Sequence, residues 1–334
     1  MAYKEKILII RFSSLGDVVL VHPVIRKLYN AGFEVHFLTQ KEYIHLFTQN
    51  PYVNKIIPFN KRKDSLWKII KIIKKENYYR IIDLQKNLRS IFILFYFFNK
   101  SFVYKKYKFR RWLLVHFKIN LLKNNSVIKN YLNVLKKLNI KISSRDYNYT
   151  ISTSLNIANK IKSLLKNKRK KIISIAPVAK WETKIWWGYA KLIEILSKKF
   201  FIVLLGTKEE QKRINLLIKN PKNVLNLAGK LNLLEIVEVI KNSSILITND
   251  SGIMHLGAGT DTPLIAIFGS TVKEFGFVPL RKNVIIIESN NVKCRPCDYH
   301  GRNKCPKSHF KCMKNISVET VLNKIKKVLR WKKF

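Results

Sequence analysis

Two tandem α/β domains, each a doubly wound parallel sheet of Rossmann-like type, are predicted by three observations on this 334-residue sequence. Short apolar runs rich in β-branched residues alternate with longer segments of helical period, the pattern of βαβ units. That alternation lapses over a polar stretch at residues 141–148 and then begins again. A chain of this length also accommodates two domains of about 150 residues, and more apolar side chains than one common core absorbs. The expected domains are residues 1–145 and 146–334.

In the first domain, strands are expected at residues 6–12, 34–38, 54–58, 80–84 and 102–104. The first contains Ile7-Leu8-Ile9-Ile10 ahead of Arg11, a continuous apolar run suited to a strand buried on both faces. Helices are expected at 17–30, 41–48, 64–75 and 87–98, with two more at 109–118 and 127–138, where apolar residues recur at three and four positions. In the second domain the strands fall at 171–176, 200–205, 223–227, 244–248 and 263–268. Helices at 154–166, 186–198, 208–218, 232–241 and 251–259 separate them. A Cys-rich segment, 294–312, and a terminal helix, 318–331, complete the chain. Open parallel sheets bind ligands beyond the carboxyl ends of their strands. Two such sheets in tandem predict an active site in the cleft between them.

Lys and Arg number 65 against 20 Asp and Glu, a formal net charge of +45. The excess is spread along the whole chain, and its lysines accompany many Ile and Asn, the mark of AT-rich coding. About half of the charge is therefore attributed to composition; the rest favours an acidic partner such as anionic lipid or a phosphorylated substrate. The apolar run before Arg11 is too short for a signal-peptide core, which points to the cytoplasm. The longest apolar stretch, residues 91–98, has eight side chains, whereas about 20 are needed to span a bilayer. It is expected to be buried or interfacial. Residues 104–112 interleave Tyr104, Tyr107, Phe109 and Trp112 with Lys105, Lys106, Lys108, Arg110 and Arg111. Such a stretch suits a membrane headgroup region and equally suits a solvated basic face.

Chemistry is expected at two strand ends. After the first strand comes Arg11-Phe12-Ser13-Ser14-Leu15-Gly16-Asp17; small residues there let backbone N–H groups and a helix start face a ligand, with Asp17 beside them as a carboxylate. Taken alone, such an Asp is more often a helix cap than a base. In the second domain a buried strand runs into Thr248-Asn249-Asp250-Ser251-Gly252-Ile253-Met254-His255. Asn249, Asp250, Ser251 and Gly252 at a helix start offer donors to a diphosphate, and His255 lies one turn further on. A plain N-cap with an incidental histidine is the alternative.

On these segments the chain resembles the ADP-heptose:lipopolysaccharide heptosyltransferases. Their Ser-Ser-x-Gly-Asp motif is matched by Ser13 to Asp17, and their Asn-Asp-Ser-Gly-x-x-His motif by Asn249 to His255. Ile82-Asp83-Leu84-Gln85 with Arg89-Ser90, and Thr183-Lys184-Ile185-Trp186, agree as well. The resemblance implies the two-Rossmann glycosyltransferase-B fold and an inverting, metal-independent transfer of heptose from ADP-L-glycero-D-manno-heptose to the lipopolysaccharide inner core. It implies an acceptor side formed by Arg11, Ser13, Ser14, Gly16, Gln85 and Arg89, with Asp17 as catalytic base. The donor side would be Lys184, Asn249, Asp250, Ser251, Gly252 and His255, with Leu231 and Glu210 toward the adenosine. The partners implied are an ADP-sugar, a lipopolysaccharide core or lipid A acceptor, and the cytoplasmic face of an anionic membrane. Ala179-Lys180-Trp181-Glu182 and Lys184-Ile185-Trp186-Trp187 depart from the family pattern, which bears on the donor more than on the reaction class.

Cys294, Cys297, Cys305 and Cys312 lie within one short segment, with His300 and His309 nearby. In a cytosolic protein a Cys-x-x-Cys pair followed by two more cysteines predicts a structural zinc site ahead of core thiols, with disulfides third. Of the competing functions, a transferase of the same fold using another nucleotide sugar comes first. A basic nucleic-acid-binding protein comes last, because no helix-turn-helix, zinc-finger spacing or RNA-stacking motif accompanies the charge.

Overall fold

A computed structural model describes residues 4–166 and 170–330, and the chain divides into two compact units. The first comprises Met1–Tyr107 and Asn125–Ser152, the second Lys108–Asn124 and Thr153–Phe334. The division therefore follows Ser152 rather than residue 145. Residues 108–124, expected in the first domain, group with the second because buried side chains such as Arg111 bond only to residues of that unit among the contacts described below.

In chain order the first unit contains β1 (Lys6–Ile10), α1 (Leu15–Val19), α2 (His22–Asn30), β2 (Glu34–Gln40), β3 (Lys55–Phe59), α3 (Leu66–Glu76), β4 (Arg80–Asp83), α4 (Leu88–Phe95) and β5 (Ser101–Val103). After α5 (Lys108–His116), which belongs to the second unit, α6 (Val127–Leu132) returns to the first. The strands form one parallel sheet in the order β3-β2-β1-β4-β5. Ile7, Leu8, Ile9 and Ile10 have no solvent exposure, as a central strand covered on both faces requires. The helix expected at 17–30 is broken in two. Pro23, at the start of α2, lacks the N–H that would continue the helix, and its ring would clash with the carbonyl of Val19. The helix expected at 127–138 tightens into a 3-10 turn from Asn133 to Leu138, closed by Asn139 in the left-handed region.

The second unit runs α7 (Leu155–Leu165), β6 (Ile172–Ala176), α8 (Tyr189–Leu196), β7 (Phe201–Leu204), α9 (Gln211–Asn215), β8 (Val224–Asn226), α10 (Leu233–Lys241), β9 (Ile245–Asn249), α11 (Gly252–Ala258), β10 (Leu264–Phe268), β11 (Val284–Glu288), α12 (Lys311–Lys314) and α13 (Val318–Leu329). Its parallel sheet has the order β11-β10-β9-β6-β7-β8. β11 was not anticipated, although Val284-Ile285-Ile286-Ile287 carries a strand composition. α13 buries Val321 and Ile325 in the same core as Trp186 and the β6–β9 strands; residue 331 of the expected terminal helix lies outside the described residues.

Each sheet reverses its strand order once, between β1 and β4 in the first unit and between β6 and β9 in the second. At such a reversal the connecting loops diverge to opposite faces and leave a crevice at the carboxyl edge. The motifs identified in the sequence follow these four strands.

Candidate active site

In the first unit the segment after β1 is fastened to the segment after β4. Gln85 Oε1 accepts from the backbone N–H of Phe12 at 2.9 Å and of Ser13 at 3.2 Å, and the buried Arg11 guanidinium donates to the Leu84 carbonyl. Gln85 itself is placed by Asp83. The fully buried Asp83 carboxylate accepts from the Gln85 and Lys86 N–H groups at 2.7 and 3.0 Å and from the Ser90 hydroxyl at 2.7 Å. Burial pushes the Asp83 carboxyl up from the usual range in spite of these bonds.

Asp17 is not the residue that caps α1; Ser14 holds that place. The Asp17 carboxylate, 17% exposed, meets Arg11 Nη2 at 2.7 Å, accepts from Ser14 Oγ at 3.1 Å and accepts from the Tyr131 hydroxyl at 3.3 Å. Burial alone would weaken the Arg11 guanidinium; the Asp17 carboxylate, aided by Tyr131 and Tyr104, more than offsets this and raises its pKa. Tyr131 is fully buried on α6. It lies 114 residues beyond Asp17, so no local pattern in the sequence could have joined the two. Ser13 and Gly16 are half-buried beside them, whereas Arg89 is exposed on α4. Gln85, expected to face an acceptor, spends its carbonyl oxygen on positioning the β1 loop.

In the second unit the Lys184 ammonium stands 2.6 Å from Asp250 Oδ2, and the Thr271 hydroxyl donates to the same oxygen at 2.7 Å. Burial alone would raise the Asp250 carboxyl; the Lys184 ammonium, with Thr271 and His255, turns the shift downward. Asn249, expected to bind donor, has no exposed surface and uses its amide inside the unit. Its Oδ1 accepts from the Trp186 N–H at 3.3 Å and the Tyr189 hydroxyl at 3.2 Å, while Nδ2 donates to the Pro177 carbonyl at 3.0 Å. It is a builder of the site, because no part of the amide is left toward solvent. His255 is likewise buried, its ring edge-on to Phe277 at 6.1 Å. Ser251 and Gly252 remain half-buried where α11 starts, and the first N–H groups of a helix have no partner within it. Glu210 Oε2 accepts from the Thr207 N–H at 2.9 Å, which ties it to the turn after β7, and Leu231 is half-buried after β8.

The Cys-rich segment grips the Lys184 loop. Thr183 N–H donates to the Arg302 carbonyl at 3.0 Å, and Arg302 N–H donates to the buried Thr183 hydroxyl at 2.8 Å. Gly301, at φ +106°, is packed so that a Cβ would stand 2.9 Å from Trp181 Cβ and 3.0 Å from Lys184 Cγ and Cδ. Arg295 adds a second tie, donating to the Thr271 carbonyl at 2.9 Å. The four thiols are free and line one cavity of about 340 Å³ with His309, whose Nε2 is 3.7 Å from Cys294 Sγ. Among the described residues, no three His, Cys, Asp or Glu side chains are grouped as metal ligands. His300 is occupied against the Tyr299 ring at 4.4 Å.

The basic-aromatic stretch divides between the units. Arg111 is buried: it donates to the Phe275 carbonyl at 3.2 Å and to the Tyr299 hydroxyl. It is thus a packing residue of the second unit and unavailable to headgroups, whereas Phe109 and Trp112 are exposed.

A family model described as Glycosyltransferase family 9 (heptosyltransferase) matches residues 66–307. Lipopolysaccharide heptosyltransferase 1 of Campylobacter coli is 25% identical over 346 residues, covering 97% of this chain and 98% of its own. Among solved structures, a family 9 glycosyltransferase of Veillonella parvula superposes with a TM-score of 0.80 at 17% identity, over 99% of both chains. The ADP-heptose lps heptosyltransferase II of E. coli does so with a TM-score of 0.75 at 19% identity, over 97% of this chain and 98% of its own. These likenesses show the two-Rossmann fold.

Proposed function

Because the chain belongs to glycosyltransferase family 9, the heptosyltransferases, we propose that it transfers heptose from ADP-L-glycero-D-manno-heptose to the lipopolysaccharide inner core with inversion at the anomeric carbon. It is a glycosyltransferase of the lipopolysaccharide core. The observation that carries the finer reading is Asp17: a partly exposed carboxylate at a strand-order reversal, held by Arg11, Ser14 and Tyr131. In this reading it takes the acceptor hydroxyl proton as that oxygen attacks the anomeric carbon. Negative charge then gathers on the departing ADP. Lys184 can meet it while still bonded to Asp250, since an ammonium has three donors, and the N–H groups at Ser251 and Gly252 add to the stabilisation. No metal is assigned a catalytic part.

The ADP-heptose donor is supported by the name of the E. coli structural relative and by the matched Asn249–His255 motif. A different nucleotide sugar remains the second reading, favoured by the departures at residues 179–187. A thermal-shift panel of ADP-, UDP- and GDP-sugars separates the two. Asp17→Asn is expected to abolish transfer while leaving ADP affinity intact; lost ADP binding would recast Asp17 as structural. Work on a lipid-linked acceptor places the enzyme, in this reading, at the cytoplasmic face of a membrane. The four cysteines we read as a structural zinc site on the strength of the cavity they share with His309; no three of these side chains stand grouped as ligands, so the ion would have to draw the thiols together, beside the Arg302 backbone that bonds Thr183.

A further inference from the structure

α4 is apolar on both of its faces, but only one of them is covered. Ser90, Ile93 and Leu94 point into the first unit and are buried. The opposite stripe, Leu88, Ile91, Phe92 and Phe95, follows the i, i+3, i+4, i+7 spacing of a single helix face. It is 86%, 52%, 37% and 75% exposed. Such all-round apolarity normally belongs to a helix buried on every side.

Aromatic rings widen this face into a ridge. Trp67 of α3 meets Phe92 edge-on at 5.7 Å and Tyr96 at 5.3 Å, and Tyr96 contacts Phe92 and Phe95 at 5.6 and 5.7 Å. Phe98, just beyond the helix, is 74% exposed. A contiguous exposed patch of this kind marks an interaction site in a soluble protein. Its Trp and Tyr rings are those that settle where an apolar phase meets water.

Charge decides what the ridge meets. Residues 65–100 hold eight Lys and Arg against two acids, Glu76 and Asp83. Asp83 is buried, and Glu76 is engaged by Lys6 and Lys55. Lys71, Lys74 and Lys75 are exposed on α3, with Arg89 on α4 and Lys100 beyond it, while Lys68 is paired with Asp64 just ahead of this stretch. A second copy of the chain, at a net charge of +45, would bring the same cations against these. An anionic lipid surface would neutralise them while taking up the rings.

We propose that the outer face of α4, with Trp67, lies in the interfacial layer of an anionic bilayer and docks the first unit there. No helix among the described residues is long and apolar enough to cross a membrane, so the mode is in-plane insertion. This deepens the lipid-linked acceptor reading but is tested without donor or acceptor, so either can fail alone.

The test is cosedimentation of the full chain with phosphatidylglycerol vesicles and with phosphatidylcholine vesicles. The wild type is expected to bind the former, and the latter at least tenfold less. A Leu88→Ser, Phe95→Ser, Phe98→Ser variant, all at highly exposed positions, is expected to bind phosphatidylglycerol at least tenfold more weakly. Lys71→Glu with Lys75→Glu is expected to weaken it as well. Phe95→Ser alone, with an unchanged melting temperature, guards against misfolding as the cause. Undiminished binding by the triple variant overturns the proposal. So does a wild type that ignores both vesicles, whether or not it forms a dimer that the triple variant breaks.

Discussion

Replacing Lys184 by Met tests the donor-side pair directly. Lys184 and Asp250 have side chains only 13% and 10% exposed and stand 2.6 Å apart, so removing the ammonium strands a carboxylate where water barely reaches. Breaking a buried pair from one side costs about 3–5 kcal/mol. In a unit of roughly 200 residues, where each kcal/mol is worth about 2–4 °C, the melting temperature should fall by about 6–20 °C. Lys184→Met with Asp250→Asn should recover much of that loss, because the stranded charge is gone. Stability that depends on this pair also has a sign in pH. The folded-state pKa of Asp250 lies below its ordinary value of 3.8, so the contribution is present above that value and lost as pH falls through the lower folded pKa. The wild type should therefore lose more stability below about pH 4 than Asp250→Asn does. Circular dichroism melting gives the global value. Amide exchange on β6 and β9 gives the local one, since a two-unit chain need not unfold in one step. A Lys184→Met variant that melts within a degree or so of wild type would refute the pair as a buried, mutually compensating one.

Three further outcomes follow from the same geometry. Tyr131→Phe removes one hydrogen bond to the Asp17 carboxylate and should lower kcat by roughly ten- to a hundredfold, the value of a bond to a charged group, with KM nearly unchanged; an unaltered kcat and pH–rate profile would make Tyr131 mere packing. Gly301→Ala must place a Cβ against Trp181 and Lys184 at φ +106°; it should weaken ADP binding in calorimetry by tenfold or more, an effect of about 1.4 kcal/mol, while acceptor-side vesicle or lipid binding stays the same. Elemental analysis of purified protein is expected to find about one zinc per chain, with chelation lowering the melting temperature; no stoichiometric zinc ends that reading.

Much of the fold was legible because burial on both faces of a parallel sheet leaves continuous runs such as Ile7–Ile10 and Ile245–Ile247, which periodicity detects. Boundaries failed where one residue overrides a pattern: Pro23 divides an otherwise helical apolar stretch, and residues 108–124 join the second unit through contacts such as Arg111 to Phe275. At the site, Ser13–Asp17 and Asn249–His255 stood out because small and polar residues follow buried strands. Nothing local announced Tyr131, whose hydroxyl reaches Asp17 from a separate helix, or Arg302, which bonds Thr183 from the Cys-rich segment. Residue type alone did not tell what Asn249 and Gln85 do inside the fold: both occupy buried positions in which their amides replace missing backbone partners.

Those two amides explain why the chemistry sits where it does. The crevice at a strand-order reversal exists because neighbouring strands send their loops to opposite faces, and nothing in the sheet ladder then holds the loops together. In the first unit Gln85 supplies that link, accepting from Phe12 and Ser13 across the β1–β4 gap. In the second, Asn249 does the same across the β6–β9 gap, through Pro177 and Trp186. Beside each amide lies a charged pair: Arg11 with Asp17, and Lys184 with Asp250. Asn249 fixes the backbone two residues after Lys184, while Asp250, the next residue in the motif, fixes its ammonium. The paired Asn-Asp thus sets both ends of one lysine and so places that cation.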